Sequence, residues 1–282
     1  MPYDLIAVGD VMLDGTLPAP VAGTRVHGRI ELRAGGSAAN AAHAATRLEA
    51  RAAVVGRVGA DAAGRLVADS LAADGVETLL AFDADAPTGC VVVVGGTSIV
   101  ADPGASARLA PDDLPATLDA GAVLVSGYTL LQQGSEPAAR AAIERARTGW
   151  LAMDVGSARL VSVFGVNRFL EATSTVGVLL ANAEEARALT GLDAEEAAVA
   201  LARHYEVVCV KLGSAGALAA RGEDLVHAAV QPIERDDTLG AGDAFAGGLL
   251  VALARGAELA RALRVGCDAA ATRLSDFRPP SR

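Results

Sequence analysis

The chain has 282 residues, 52% of them hydrophobic and only 3% aromatic, so a sizeable core built mainly from Ala, Val and Leu is expected. Its formal net charge of -10 disfavours nucleic acid as a partner, because an acidic surface repels phosphate backbones. The N-terminus has no basic region, and no run of about 18 apolar residues occurs, so we expect a cytoplasmic protein without a membrane span.

In chain order, the first strands are of two kinds. Residues 5–9 form an apolar run that ends in glycine, which is typical of a buried parallel strand followed by a loop. Residues 25–33 alternate apolar and charged side chains, which predicts a strand with one face in water. Residues 90–94 and 98–100 predict two further strands around a glycine turn. These alternating and short strands predict a small sheet that projects from the main body.

The remaining segments alternate between helices and short apolar strands. Helices are predicted at 37–48, 62–73, 136–147, 183–190 and 194–204. Strands are predicted at 53–55, 123–125, 151–153, 178–180 and 207–210. This alternation indicates βαβ units and a mostly parallel sheet, which binds ligands at the carboxyl ends of its strands.

Cysteine and histidine are too scattered to indicate a disulfide framework or a metal site. Cys90, Cys209 and Cys267 are odd in number and far apart, and no two of the four histidines have i,i+4 spacing. We interpret the cysteines as buried thiols in a reducing compartment.

The strongest local signal is the run Gly240-Ala241-Gly242-Asp243, which precedes an Ala- and Leu-rich helical segment. Small residues before a helix leave its first N–H groups free to hold an anion. A carboxylate beside an anion site makes sense if Asp243 accepts a proton from an attacking hydroxyl. The alternative is that Asp243 merely caps the helix. No Walker A sequence occurs, and Phe245 stands where a dinucleotide fingerprint needs glycine.

Residues 237–243 (Asp-Thr-Leu-Gly-Ala-Gly-Asp) resemble the C-terminal signature of the ribokinase-like (PfkB) family of sugar kinases. Residues 35–64, beginning Gly-Gly-Ser-Ala-Ala-Asn, resemble the N-terminal signature. The resemblance implies a ribokinase-like three-layer α/β/α fold with a mostly parallel sheet and a small β lid. It further implies one kinase domain over 1–282, with lid segments at about 15–35 and 88–103. The implied activity is ATP-dependent phosphorylation of a hydroxyl on a small sugar or sugar acid.

The resemblance also assigns the catalytic and substrate residues. Asp243 would be the base, and the amides of Gly240, Ala241 and Gly242 would form an anion hole. Asp14 would bind substrate hydroxyls, since a carboxylate can accept two hydrogen bonds from a vicinal diol. The rest of the implied sugar site consists of Gly35, Gly36 and Asn40. Met12 stands where ribose-specific members usually carry asparagine, which argues against ribose, and Asp10 is interpreted as a solvated loop residue.

Nucleotide and metal roles follow from further matches. Asn182 and Glu185 match the family's Asn-x-x-Glu pattern, which organises Mg²⁺ and phosphates largely through water. They could instead simply start a helix. The implied nucleotide loop consists of Lys211, Gly213 and Gly216, although Lys211 could equally contact a substrate carboxylate or be a surface residue. The residues implied to hold K⁺ are Asp237, Leu239, Ala270 and Arg273, the last two in a C-terminal loop. Ser275 stands where glycine is common, which weakens the potassium hypothesis.

Three alternatives remain open within or near this family. A nucleoside kinase would hold its base by aromatic stacking, and the lid segments contain no Phe, Tyr or Trp, which favours a sugar. A phosphosugar kinase needs cations near the substrate, and Arg25, Arg29 and Arg33 could supply them if their face of the lid covers the pocket. A non-enzymatic relative should have lost the base or the anion hole, and both motifs are intact. Lids of this family often pair, which implies a homodimer through the lid.

Overall fold

A computed structural model describes residues 2–17, 27–28, 30–95, 98–231 and 238–275. The strands are β1 (Tyr3–Val8), β2 (Met12–Leu17), β3 (Glu31–Gly35), β4 (Ala52–Gly59), β5 (Glu77–Asp83), β6 (Thr88–Val94), β7 (Ser98–Gly104), β8 (Leu118–Ser126), β9 (Ala146–Arg147), β10 (Trp150–Asp154), β11 (Val178–Asn182), β12 (Val207–Lys211), β13 (Ala217–Arg221) and β14 (Asp224–Ala228). The helices are α1 (Ser37–Thr46), α2 (Ala62–Ala73), α3 (Gly127–Leu131), α4 (Glu136–Arg145), α5 (Ala158–Phe164), α6 (Val166–Ala172), α7 (Ala183–Thr190), α8 (Ala194–Leu201), α9 (Ala241–Ala254) and α10 (Leu259–Ser275).

The main sheet has the strand order β14-β13-β12-β11-β10-β8-β1-β4-β5, with β9 paired to β8. Its pairs are parallel except at one edge, where β12, β13 and β14 are antiparallel. The strands that the sequence predicted as short apolar runs are buried on both faces, because helices cover both sides of the sheet. The predicted three-layer α/β/α fold is confirmed.

Each face of the sheet has its own apolar core. Helices α1, α2, α9 and α10 cover one face, and α4 to α8 cover the other. On the first face α9 lies very close to α1, since a β-carbon on Gly247 would come within 2.3 Å of the Ala41 carbonyl oxygen. Glycine at this position therefore lets the helix that carries Asp243 lie directly against the helix that carries Asn40.

The small sheet has the strand order β3-β2-β6-β7 and forms the predicted lid. Its strands alternate in direction except that β2 and β6 are parallel. The predicted strand at 25–33 is shifted, because β3 runs from Glu31 to Gly35; residues 25, 26 and 29 lie outside the described residues. The Arg33 guanidinium lies 4.0 Å from the Asp14 carboxylate, so Arg33 projects to the same side of the lid as Asp14. Leu32 projects to the opposite side and is 59% exposed.

The carboxyl ends of β1, β8, β10, β11 and β12 meet at one edge of the main sheet, where the lid strands also start. Parallel strands place the residues that follow them side by side at such an edge. Within the described ranges, no helix has the length and apolarity that a bilayer span requires.

Candidate active site

A cavity of about 490 Å³ lies at the carboxyl edge of the main sheet, beneath the lid. The body lines it with residues at strand ends and at the start of α9, and the lid lines it with Asp14 and with the apolar side chains Val91, Val93, Ile99 and Ala101. One wall is therefore polar and the other largely apolar. This arrangement suits a small molecule that carries hydroxyls on one side.

Asp243 lies in the first turn of α9 and faces the cavity. The N-cap of this helix is Gly240 in a left-handed conformation (φ 81°), so the alternative that Asp243 caps the helix is wrong. Instead, the Asp243 carboxylate accepts a hydrogen bond of 2.9 Å from the Asn40 amide. Its second oxygen, Oδ1, has no hydrogen-bond partner among the described residues. The carboxylate is thus oriented by α1 and turned towards the ligand space.

Burial, together with the nearby charge of Asp154, raises the pKa of the Asp243 carboxyl from 3.8 to about 7. The hydrogen bond from Asn40 and the charge of Lys211 act in the opposite direction. A carboxyl group with a pKa near neutrality can both accept and hold a proton, which is the property required of a general base.

The start of α9 only partly matches the predicted anion hole. Gly240 and Gly242 line the cavity, but the amide of Ala241 donates to the Thr238 carbonyl at 3.1 Å. The amides of Gly242 and Asp243 have no hydrogen-bond partner among the described residues. A helix N-terminus with free amides favours negative charge. Of the three amides predicted from the sequence, that of Gly242 lacks such a partner, and the amide of Asp243 joins it.

The predicted substrate residues come together around Asp14. A β-carbon on Gly35 would lie 2.0 Å from an Asp14 carboxylate oxygen, so only glycine permits this carboxylate to occupy its place. Gly36 has φ 90°, and a β-carbon there would lie 2.4 Å from the Asp10 carbonyl oxygen. Asn40 follows on α1 and links this group to Asp243. The four residues thus lie on one side of the cavity, although Gly35 itself does not line it.

Asp10 is buried at 3% exposure, so its interpretation as a solvated loop residue is wrong. Its carboxylate accepts hydrogen bonds from Ser37 and Ser126 at 2.9 and 2.8 Å. Burial raises the pKa of Asp10, and the two serine hydrogen bonds oppose that rise. Because Asp10, Ser37 and Ser126 all line the cavity, they add a polar group that the sequence did not indicate.

Asn182 and Glu185 form a capping box at the start of α7. The Asn182 side chain accepts from the Glu185 amide at 2.8 Å, and the Glu185 carboxylate accepts from the Asn182 amide at 2.8 Å. They therefore do start a helix, and Glu185 also lines the cavity. Burial raises the pKa of Glu185 to about 7, with Asp154 adding to the rise and Lys211 opposing it.

A second cavity of about 460 Å³ adjoins the first and contains most of the predicted nucleotide loop. Asn182, Lys211 and Gly213 line it. Gly216 instead closes the turn behind it, where a β-carbon would lie 2.0 Å from the Ala228 carbonyl oxygen. The Lys211 side chain is only 17% exposed and contacts Asp154, so the hypothesis of a surface lysine is wrong.

Of the residues predicted to hold a monovalent cation, the structure describes Leu239, Ala270 and Arg273. Asp237 lies outside the described residues, and Leu239 lines the main cavity. The expectation of a C-terminal loop is wrong, since Ala270 and Arg273 belong to the continuous helix α10. Inside a helix the Ala270 carbonyl is committed to the helix hydrogen-bond ladder. The Arg273 Nε atom lies 3.1 Å from where a β-carbon of Gly240 would be, which places a guanidinium beside this segment.

Several lining residues were missed from the sequence. They include Ser126, Tyr128, Gln132, Asp154 and Leu160. Ser126 and Asp154 directly follow predicted strands, so the rule that ligands bind at strand ends could have found them. Tyr128 has no such local signal, because it reaches the cavity from the short helix α3. Burial raises the pKa of its phenol, and the charges of Asp243 and Asp10 add to the rise.

Comparison with known proteins agrees with this geometry. Residues 4–278 match the model of a family described as pfkB family carbohydrate kinase. The chain belongs to the pfkB family. This pfkB-family protein is an enzyme that transfers phosphate from ATP to a sugar-like substrate, as the sequence predicted.

Individual relatives of this pfkB-family kinase differ in their substrates. The chain is 29% identical to the 2-dehydro-3-deoxygalactonokinase of Haloferax volcanii, over 96% of this chain and 91% of the relative. The crystal structure of adenosine kinase from Sinorhizobium meliloti covers 100% of this chain and 96% of its own, with a TM-score of 0.87 and 25% identity. A fructokinase from Vibrio cholerae O395, with fructose, ADP and calcium ion bound, covers 96% and 92%, with a TM-score of 0.80 and 28% identity.

Proposed function

We propose that this kinase phosphorylates a hydroxyl of a small sugar or sugar acid, with Asp243 as the catalytic base. The observation that carries the proposal is the Asp243 carboxylate, oriented by Asn40 at the N-terminus of α9 and open to the cavity that also contains Asp14. A base, an anion-binding helix start and a hydroxyl-binding carboxylate in one cavity are the parts that phosphoryl transfer requires.

In this mechanism Asp14 orients the acceptor, and Asp243 takes the proton of the attacking hydroxyl. The acceptor oxygen forms a bond to the γ-phosphorus of ATP while the bond to the bridging oxygen breaks, and that electron pair leaves with ADP. The amides of Gly242 and Asp243 stabilise the negative charge on the transferred group. Because the pKa of Asp243 is about 7, the base is present at neutral pH and can return the proton to solvent after product release.

We propose Mg²⁺ as the divalent cation, with Glu185 as its protein ligand through water and Asn182 beside the nucleotide. The described residues contain no group of three or more His, Cys, Asp or Glu side chains that could enclose a metal. Glu185 lines the substrate cavity, and Asn182, its partner in the capping box, lines the nucleotide cavity. A carboxylate in this place suits Mg²⁺, which keeps several waters and binds substrate phosphates. When bound, the ion neutralises charge on the phosphates.

Activation by K⁺ through Asp237, Leu239, Ala270 and Arg273 stays a prediction. Its support is weakened by the helical position of Ala270. Equal activity in potassium and tetramethylammonium salts would reject it. The cytoplasmic location also stays a prediction, supported by the three free cysteines, which suit a reducing compartment.

The test is release of ADP with a panel of neutral sugars, sugar acids, phosphosugars and nucleosides, followed by identification of the phosphorylated position by ³¹P NMR. We expect turnover with a sugar or sugar acid, and loss of at least a hundredfold in kcat in Asp243→Asn. The matched control is Asp69→Asn, which changes an exposed aspartate on α2. Full activity of Asp243→Asn would remove Asp243 as the base.

A nucleoside is the second candidate because Tyr128 lines the cavity from the body. The sequence argument against nucleosides considered aromatic residues in the lid only. An aromatic ring on one side and the apolar lid residues Val93 and Ile99 on the other could enclose a flat base. Turnover of a nucleoside by the wild type without turnover of free sugars, and its loss in Tyr128→Leu, would favour this candidate.

The third candidate is a phosphosugar, whose phosphate needs cationic side chains near it. Arg33 is such a side chain, and it lies beside Asp14 on the cavity side of the lid.

We propose one kinase domain over 1–282 that forms a homodimer through the outer face of the lid. The outer face carries a cross-strand row of Leu32, Gly15, Val92 and Val100. Leu32 is 59% and Val100 66% exposed, so this row presents apolar side chains that a second copy would cover.

A further inference from the structure

Lys211 lies where the two cavities meet. It is the last residue of β12, and among the described residues it alone lines both the substrate cavity and the nucleotide cavity. A phosphoryl group that moves from a nucleotide in one cavity to an acceptor in the other must pass this junction. Lys211 can therefore contact the phosphoryl group while it is transferred.

Asp154 holds the Lys211 ammonium in place. The Lys211 Nζ atom lies 2.9 Å from both carboxylate oxygens of Asp154, and the two side chains are only 17% and 9% exposed. Burial lowers the pKa of Lys211, but the charges of Asp154, Glu185 and Asp243 raise it more, so the amine is protonated. An ammonium has three N–H donors, so this pairing leaves at least one donor for a ligand.

The ammonium also lies against the start of α9. The Nζ atom is 3.4 Å from where a β-carbon of Gly242 would be. Lys211 is also the only cationic side chain among the described residues that line the substrate cavity. Negative charge on a phosphoryl group beside Asp243 would therefore meet this ammonium together with the α9 amides.

We propose that Lys211 is a catalytic residue whose ammonium contacts the phosphoryl group during transfer, and that Asp154 is the positioning residue that holds it. This inference rests on the proposed function of the Asp243 cavity. A preorganised cation stabilises charge that develops in the transition state more than charge in the bound nucleotide. The competing explanation is an ion pair that only neutralises buried charge, with no contact to the nucleotide.

The kinetic test uses Lys211→Met, Asp154→Asn and the double variant. Lys211→Met should lower kcat by about 10²- to 10³-fold, with the KM for ATP changed less than about fivefold. At the high-pH plateau of kcat, where Asp243 is ionised whether or not Asp154 is charged, Asp154→Asn should lower kcat by about tenfold, and it should add nothing when Lys211 is already Met, because there Asp154 acts through Lys211. The double variant removes both buried charges together, so it avoids the unpaired carboxylate that a single Lys211→Met change leaves.

Lys211 is the only lysine in the chain, which allows a direct measurement. Protein grown with lysine labelled with ¹³C at the ε-carbon gives one side-chain signal. ADP with aluminium fluoride, which mimics the phosphoryl group in transfer, should shift this signal more than ADP alone. An equal shift with both probes, or a Lys211→Met enzyme with more than a tenth of the kcat, overturns the inference. If Asp243→Asn also retains activity, the proposed function fails as well; if Asp243→Asn is inactive, only the role of Lys211 fails.

Discussion

Replacing Asp243 by Asn should inactivate the enzyme and at the same time stabilise its fold. Burial holds the folded-state pKa of this carboxyl at about 7 against an ordinary 3.8, so the ionised form is unfavourable in the folded protein. Asparagine has nearly the same shape, and its side-chain oxygen can still accept the hydrogen bond from Asn40. The change therefore removes the buried charge and the base without leaving a cavity.

The expected increase in the free energy of unfolding follows from the difference of about three units between the folded and unfolded pKa values of Asp243. At about 1.4 kcal/mol per unit, this difference corresponds to at most about 4 kcal/mol. Asp243 is partly exposed to water in the cavity, so we expect a gain of about 1–3 kcal/mol. For a chain of 282 residues that gain raises Tm by roughly 2–5 °C.

The sign can be checked with pH. Because the folded pKa is raised, protonation of Asp243 favours the fold, and its contribution is lost as pH rises from about 4 through about 7. The stabilisation in Asp243→Asn should therefore be largest at pH 8 and fall to about a third of that value at pH 5. Thermal denaturation of the wild type, Asp243→Asn and the control Asp69→Asn at both pH values measures it. Equal Tm values for the wild type and Asp243→Asn at pH 8 would refute the argument that ionisation of this carboxyl lowers the stability of the folded protein.

Three further predictions concern the acceptor, the metal and the lid. Asp14→Asn should raise the KM for the acceptor by about 10- to 100-fold, because hydrogen bonds to a charged group are lost, while the KM for ATP changes less than about twofold; equal changes in both constants would contradict this. EDTA should abolish turnover and Mg²⁺ restore it, since Lys211 is the one cationic side chain among the described lining residues and leaves most of the phosphate charge uncompensated; activity that persists in EDTA would exclude the metal. Leu32→Asp combined with Val100→Asp should convert a dimer to a monomer in sedimentation velocity, and an unchanged sedimentation coefficient would locate the interface elsewhere.

The sequence predicted elements whose signals are local. The run at 207–210 is a strand because its apolar residues are buried on both faces, and the helix predicted at 62–73 has the bounds of α2. Asp61 caps that helix by accepting from the Gly64 amide, a signal that spans three residues. Local patterns of this kind are visible without knowledge of the fold.

The polar contacts of the cavity could not be predicted, because they join residues that are distant in the chain. Asp10 is buried, and its carboxylate accepts a hydrogen bond from Ser126, which lies 116 residues later. Lys211 and Asp154 are 57 residues apart and meet because β12 and β10 flank the same strand. No periodicity encodes such pairs. The error at Ala270 had another cause, since the resemblance suggested a loop where an alanine-rich sequence favours helix.

Burial of the Asp243 carboxyl lowers the stability of the fold at neutral pH, but the same burial makes this carboxyl suitable as a catalytic base. Five carboxyl groups and one ammonium are found among its described lining residues, namely Asp10, Asp14, Asp154, Glu185, Asp243 and Lys211. In water Asp243 would be too weak a base, because its conjugate acid would lose its proton near pH 4. Burial and the neighbouring Asp154 raise its pKa, while Lys211 opposes a larger rise that would leave it protonated at neutral pH. The ion pair with Asp154 therefore has two effects on this base, since Asp154 raises its pKa and Lys211 lowers it, and their balance leaves Asp243 able to exchange a proton near pH 7.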